Sequence, residues 1–385
     1  MSSAWLLPEH FADVLPAQAR RIEELRRHLL DLALRYGFEL VMPPLVEHLE
    51  SLLSGAGREQ DLRTFKLVDQ LSGRSLGVRA DTTPQVARID AHLLNRRGVT
   101  RLCYCGPVVH ARPSGPLASR EPLQFGVEVY GHAGLEADLE VLELALDALE
   151  GLGLQGPLVE LSDARCVQAL LDAGQATAGQ RAAVLEALSV RSPQALRSAA
   201  QGLASAGDLM VLLELEGGRE ILRQAAARLP DLPPIRAALN DLAWLHEHLE
   251  RSHPGLRVGF DLAAVAGNGY YTGVCFNAYV MGQTQPLLRG GRYDEVGAAF
   301  GRRRPAVGCS LDLKTLVEVL PSQSLRGAVR APWGEDPELR EQVRRLRQQG
   351  ETVVCVLPGH EDEGEEYACD RELQRDADGW VVRAL

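Results

Sequence analysis

Residues 163–250 are rich in alanine, leucine and arginine, nearly free of β-branched runs, and punctuated by glycine and proline, whereas the segments on both sides carry strand-like patterns. A block of this composition forms short helices rather than strands. Because β-patterning resumes beyond it, the helices interrupt a sheet instead of following it. Before the block stand RLCYCGPVVHARP and PLQFGVEVYG, joined by a Pro/Gly/Ser-rich connection over residues 113–120; after it come VGFDLAAVAGNGYYTGVCFNAYV and PLLRGGRYD. The order predicts an α+β fold, an antiparallel sheet flanked by helices with a helical insertion. The expected division is 1–162 for the first part of the sheet domain, 163–250 for the insertion, 251–320 for the second part and 321–385 for a short C-terminal α/β segment.

Other elements are readable from periodicity. Ile22, Leu25, Leu29 and Leu32 recur at helical spacing within residues 17–36, and Leu139, Leu142, Leu146 and Leu149 do so within 135–154. FELVMPP reads as a strand ending at Pro43, TFKLVD and SLGVR as a hairpin around LSGR, and residues 311–320 as a helix. The last 65 residues predict one helix, one or two strands and an acidic EDEGEE stretch.

Charge and cysteine usage narrow the function class. With 41 basic and 52 acidic side chains the net charge is −11, and no dense basic stripe is present to track a phosphate backbone. Seven scattered cysteines form no CxxC pair, which predicts reduced thiols rather than zinc or disulfides. The start, MSSAWLLPEHFADVLP, carries Glu9, His10 and Asp13 where a secretory leader needs an apolar run, and no later stretch is apolar enough to span a bilayer. A cytoplasmic protein without metal or cofactor is the expectation. No Walker loop, dinucleotide fingerprint, HExxH or nucleophile elbow is present.

Four short motifs can carry chemistry, and each has a plain structural reading. In GGRYD, Arg292 offers a planar fork for carboxylate or phosphate, or else pairs with Asp294 in a tight turn. In AGNGYYTG, Tyr270 and Tyr271 can line a polar pocket; on a strand they would instead point to opposite faces. Gln124 and Glu128 share one strand face with Gly126, an arrangement suited to an amino or imidazole group. Asp81, Thr82 and Thr83 supply a carboxylate and hydroxyls, or cap a helix over residues 85–94. Cys103 and Cys105 share a face too, but two ligands make no metal site.

Taken in order, PEHFADVLP, YGFELVMPPLVE, RADTTPQVAR, CYCGPVVHARP, LQFGVEVYG, NGYYTG, GGRYDEV and AVGCSLDL resemble the catalytic core of histidyl-tRNA synthetases, a class II aminoacyl-tRNA synthetase family. The resemblance runs from about residue 8 to 320 and implies a class II synthetase-like sheet that dimerises through YGFELVMPPLVE. It also implies a histidine pocket: Asp81 and Thr83 at the α-amino group, Gln124 and Glu128 in the pocket, Tyr270 and Tyr271 near the imidazole. The family's cationic positions are lost. Its motif-two arginine falls at His110, its motif-three arginine at Thr315 and its third arginine at Ala266. Each lost donor to a developing phosphate charge costs ~3 kcal/mol of barrier, so adenylation should be negligible.

A synthetase-like core without these arginines, followed by too short a tail for an anticodon-reading domain, resembles the regulatory subunits of ATP phosphoribosyltransferase. That resemblance implies a non-catalytic subunit that associates with a short-form catalytic phosphoribosyltransferase subunit, forms a homodimer core within a hetero-oligomer, takes L-histidine as ligand and needs no tRNA. Two alternatives are an active histidyl-tRNA synthetase, its phosphate clamp rebuilt from Arg112, Arg120 and Arg292, and a paralogue sensing another amino acid.

Overall fold

The computed structural model describes residues 5–54, 58–115, 118–154, 156–264, 270–321, 327–360, 368–377 and 379–385. Two compact units are present, Met1–Leu320 and Pro321–Leu385.

The first unit is built on a nine-stranded sheet. Six strands run antiparallel in the spatial order Thr100–Pro107, Leu123–Tyr130, Ala306–Asp312, Leu288–Arg292, Val274–Tyr279 and Leu158–Asp163. Glu39–Leu40 joins one edge in parallel; Arg257–Asp261, also parallel, and then Glu216–Gly217 extend the other. Strand alternation sorts the side chains. Cys103, Phe125, Val127, Val129, Val307 and Cys309 face the helices Pro16–Arg35 and Leu135–Gly151, which contribute Leu25, Leu29, Leu32, Leu142, Leu146 and Leu149 to one apolar core. Leu102, Tyr104, Tyr130 and Ala306 face the other way, against Val86 and Ala87.

The expected α+β fold is therefore found, with differences in detail. The segment expected to be all helical begins with Ala164–Ala173, whose first turn is capped by Asp163, and ends with Pro233–Ser252, but Glu216–Gly217 within it is a strand of the main sheet. Val167, Leu170, Leu209, Leu242 and Leu245 from this segment belong to the same core as the sheet residues. The helix expected over 85–94 starts earlier and changes pitch: Thr83–Arg88 is α-helical, Ile89–Leu94 is a π-helix, and Asn95 ends it in the left-handed region at φ 44°. The predicted hairpin is present as Phe65–Val68 and Ser75–Val78, extended to three strands by Val46–His48.

The second unit is a four-stranded sheet in the order Val353–Val356, Ala328–Pro332, Cys369–Asp376 and Gly379–Ala384. The helix Pro337–Gln348, capped by Asp336, lays Leu339, Val343 and Leu346 on Val329, Ala331, Val353 and Leu373. Four strands replace the expected one or two. Cys369–Asp376 reads CDRELQRD and buries only Leu373 fully, so its sequence carries almost no apolar alternation.

Candidate functional site

The polar face of the sheet collects the groups singled out in the sequence. Glu128 lies on the interior strand Leu123–Tyr130, between Leu102 of one neighbour and Gly308 of the other. It is 1% exposed. Its Oε1 accepts a hydrogen bond from Thr83 Oγ1 at 2.8 Å, and Tyr104 Oη stands 3.1 Å from the same hydroxyl and 3.4 Å from Oε1. Its Oε2 has no partner among the described residues. Burial pushes this carboxyl well above the usual range and the nearby Asp81 charge adds to the push, while the bonds from Thr83 and Tyr104 oppose it.

Small residues make the room. A Cβ on Gly308 would overlap Glu128 Oε2 and Tyr293 Oη, and one on Gly126 would overlap Tyr104 Oη. The two glycines are thus required by close approach, and the room they leave is taken by Glu128 Oε2 and the Tyr104 and Tyr293 hydroxyls.

Aromatic hydroxyls form the rest of the wall. Tyr270, Tyr271 and Tyr293 make one cluster, with ring centroids 5.3 Å apart for Tyr270 and Tyr271 and 5.0 Å for Tyr270 and Tyr293. Strand alternation does not split the tandem tyrosines, because they precede the strand Val274–Tyr279, and both pack on the same aromatic group. Tyr130, Tyr270 and Tyr293 each bury a hydroxyl without a partner among the described residues, as does Thr82. Burial raises the Tyr270 hydroxyl well above its ordinary range, and the charges of Asp81 and Glu128 raise it further.

Asp81 and Gln124 are tied to each other. Gln124 Nε2 donates to Asp81 Oδ1 at 2.8 Å, its Oε1 accepts from the Thr82 amide at 3.0 Å, and the Thr83 amide reaches Asp81 Oδ1 at 3.3 Å. The N-cap residue of this helix is Thr82, without a side-chain capping bond; Asp81 instead ties down the turn before it and so presents Thr83 to Glu128. Gln124 positions this turn instead of offering a free amide. Sequence reasoning missed Tyr104, Tyr130, Tyr293 as a wall residue, and Gly308; the signal lay in strand register, which sets Tyr104 opposite Gly126 and Gly308 opposite Glu128.

The expected cationic positions hold no accessible cation. His110 is buried, its Nε2 donates to the Ala80 carbonyl at 3.0 Å, and burial together with the neighbouring Arg63 charge holds its pKa down at about 4. Thr315 Oγ1 donates to Asp312 Oδ2 at 2.8 Å within a helix cap. Ala266 lies outside the described residues. Of the arginines that could rebuild a clamp, Arg292 is buried in a pair with Asp138 and also donates to the His132 and Gly134 carbonyls, both at 3.1 Å. Its predicted partner Asp294 is a longer contact at 3.4 Å. Arg120 Nε donates to the His110 carbonyl at 2.9 Å, with its guanidinium over the Phe11 and Phe65 rings. Only Arg112 is exposed. Among the described residues, the groups gathered around Glu128 are hydroxyls and carboxylates, a composition suited to a small polar ligand.

Comparison with known proteins agrees along the whole chain. A model of the histidyl-tRNA synthetase family matches residues 10–316, and one for the C-terminal domain of the ATP phosphoribosyltransferase subunit HisZ matches residues 326–383. ATP phosphoribosyltransferase regulatory subunits from Albidiferax ferrireducens and Variovorax paradoxus are 57% and 58% identical, each over 100% of both chains. A solved ATP phosphoribosyltransferase regulatory subunit/histidyl-tRNA synthetase from Bacillus halodurans superposes with a TM-score of 0.81 at 28% identity, covering 92% of this chain and 93% of that one. Histidyl-tRNA synthetase from Nostoc shares the fold, with a TM-score of 0.78 at 18% identity over 99% of this chain and 94% of its own. The chain belongs to the family of ATP phosphoribosyltransferase regulatory subunits, built on the histidyl-tRNA synthetase fold.

Proposed function

We propose that this chain is a non-catalytic regulatory subunit of ATP phosphoribosyltransferase and that it binds free L-histidine in the Glu128 pocket. The observation that supports the ligand reading is the buried Glu128 Oε2 beside the hydroxyls of Tyr270 and Tyr293, each without a partner among the described residues. A buried polar atom left unpaired costs ~1–3 kcal/mol, which a ligand bearing N–H groups repays and one lacking them does not. The imidazole suits that end of the pocket, and the Asp81 carboxylate suits an ammonium group.

Aminoacylation is absent in this reading, because two positions where the resemblance expects phosphate-binding arginines hold a neutral histidine and a threonine bound to the capping Asp312. The glycosyl transfer, joining ATP to phosphoribosyl pyrophosphate, belongs to a separate catalytic subunit in the cytoplasm, and histidine in the pocket exerts feedback on it. The core pairs with a second copy through the segment after the first helix. Phe38 is buried within its own chain, but Leu40, Met42, Leu45 and Val46 are 47%, 76%, 39% and 37% exposed, an apolar strip that self-association would cover.

The test is calorimetry of L-histidine against other amino acids, together with histidine-dependent ATP–pyrophosphate exchange. Selective histidine binding with negligible exchange is expected. Equal binding of unrelated amino acids, or exchange at a synthetase rate, overturns the reading.

A further inference from the structure

The second unit carries a groove that plays no part in the pocket. It opens between the helix Pro337–Gln348 and the edge strand Val353–Val356, with a volume of about 1080 Å³. Its apolar parts are Trp333 and Leu357, which are 46% and 58% exposed, with Val343 and Cys355 at its base. Its charge is one-sided. Arg340, Arg344 and Arg347 follow one another at i, i+4 and i+7, hence along one helix face, and Glu341 is the single acidic residue of the lining.

Arg340 and Arg344 are exposed and form no ion pair among the described residues, whereas Asp336 and Glu338 of the same helix are engaged by Arg375. Arg347 Nη2 donates to the Val353 carbonyl at 2.9 Å, so it occupies an edge position that an added strand would need. Strand addition is thereby disfavoured, and side-chain recognition remains. An exposed tryptophan flanked by arginines has the composition of a protein–protein hot spot, where Trp and Arg are enriched.

We propose that this groove is the docking site for an acidic surface segment of the catalytic partner, with an apolar side chain seated between Trp333 and Leu357 and carboxylates on Arg340 and Arg344. The assignment rests on the regulatory-subunit reading for the partner's identity. The charge complementarity of the arginine-lined wall commits it to an acidic segment.

The test measures binding of the full chain to the purified catalytic ATP phosphoribosyltransferase subunit by surface-immobilised titration. An Arg340→Glu/Arg344→Glu variant and a Trp333→Ala variant each weaken binding ~10-fold or more, and the charge reversal flattens the salt dependence between low and physiological ionic strength. A control reversing Arg223 and Arg251, exposed on other helices, changes the net charge equally and leaves binding within ~2-fold. All of these side chains are exposed, and unchanged melting checks that each variant folds.

Variants that bind like the parent overturn the docking site while leaving the regulatory reading in place. Failure of the parent chain to bind the catalytic subunit overturns both. A variant whose own sedimentation shifts toward smaller species, with partner binding unchanged, reassigns the groove to a second copy of this chain and overturns the proposal.

Discussion

Thr83 Oγ1 donates to Glu128 Oε1 at 2.8 Å, which joins the first residue of the helix Thr83–Arg88 to an interior strand of the nine-stranded sheet. The bond satisfies one carboxylate oxygen and leaves the other, over Gly308, without a partner among the described residues. Thr83→Val keeps the shape and removes the donor. It should lower stability by about 1 kcal/mol and weaken histidine binding several-fold, measured by denaturant unfolding and calorimetry. Unchanged values for both would show that the bond neither positions nor supports Glu128.

Gly308→Ala should crowd Glu128 from below. The added methyl meets Glu128 Oε2 and Tyr293 Oη, so overpacking costs ~1–3 kcal/mol of stability and histidine affinity falls ~10-fold or more. Calorimetry beside a melting curve reads both, and a variant that binds as tightly as the parent would place the ligand elsewhere.

Glu128 gives the empty protein a pH dependence. Its pKa is raised in the folded chain, so the folded state holds the proton more tightly than the unfolded chain. The associated stability is complete below the ordinary carboxylate range and is lost as pH rises through the raised value. Ligand-free melting temperature should therefore fall with pH above about 4.5 more steeply in the parent than in Glu128→Gln. Parallel curves would mean that Glu128 titrates normally.

His110 acts with the opposite sign. Held at about 4 by burial and Arg63, it must take up a proton on unfolding in acid, so its contribution is present above the model-peptide value of about 6.5 and is lost as pH falls from there toward 4. His110→Gln should flatten this part of the acid limb. A slope equal to the parent's over that window would show that other groups cause it.

Arg292 tests the fold. Replacing it with Met leaves Asp138, which is fully buried, as an uncompensated charge, and ~3–5 kcal/mol of stability should be lost. The double variant Arg292→Met/Asp138→Leu should recover much of that, as followed by chemical denaturation. If the single variant melts with the parent, the pair carries no weight.

How legible the molecule was depended on the length scale of the signal. Strands such as Leu123–Tyr130 and helices such as Pro16–Arg35 announce themselves by periodicities of two and 3.6 residues, and the α+β arrangement followed from their order. Gln124 and Glu128 were found because they lie on one strand. Tyr104 and Gly308 were not, since their place beside Glu128 depends on which strands become neighbours, a fact carried by register. Arg292 misled for a related reason: Asp294 is two residues away, but its main partner Asp138 is 154 residues away in sequence, on a helix whose packing no local pattern reveals. The π-helical stretch Ile89–Leu94 was equally silent, because IDAHLL satisfies an ordinary helical pattern.

The inserted helices share one apolar core with the sheet: Val167, Leu209 and Leu242 pack in the cluster that holds Phe125, Val127 and Val307. Unfolding those helices strips the sheet of its cover, so the two should melt as a single cooperative transition. By mass action, a ligand present at a hundredfold its dissociation constant adds about 2.7 kcal/mol to every part of that transition. Amide protons deep in Pro233–Ser252, on helices that contribute no residue to the pocket, should exchange more slowly when the pocket is filled. Hydrogen exchange at those remote positions would then serve as an occupancy gauge, read without a label and without any partner enzyme.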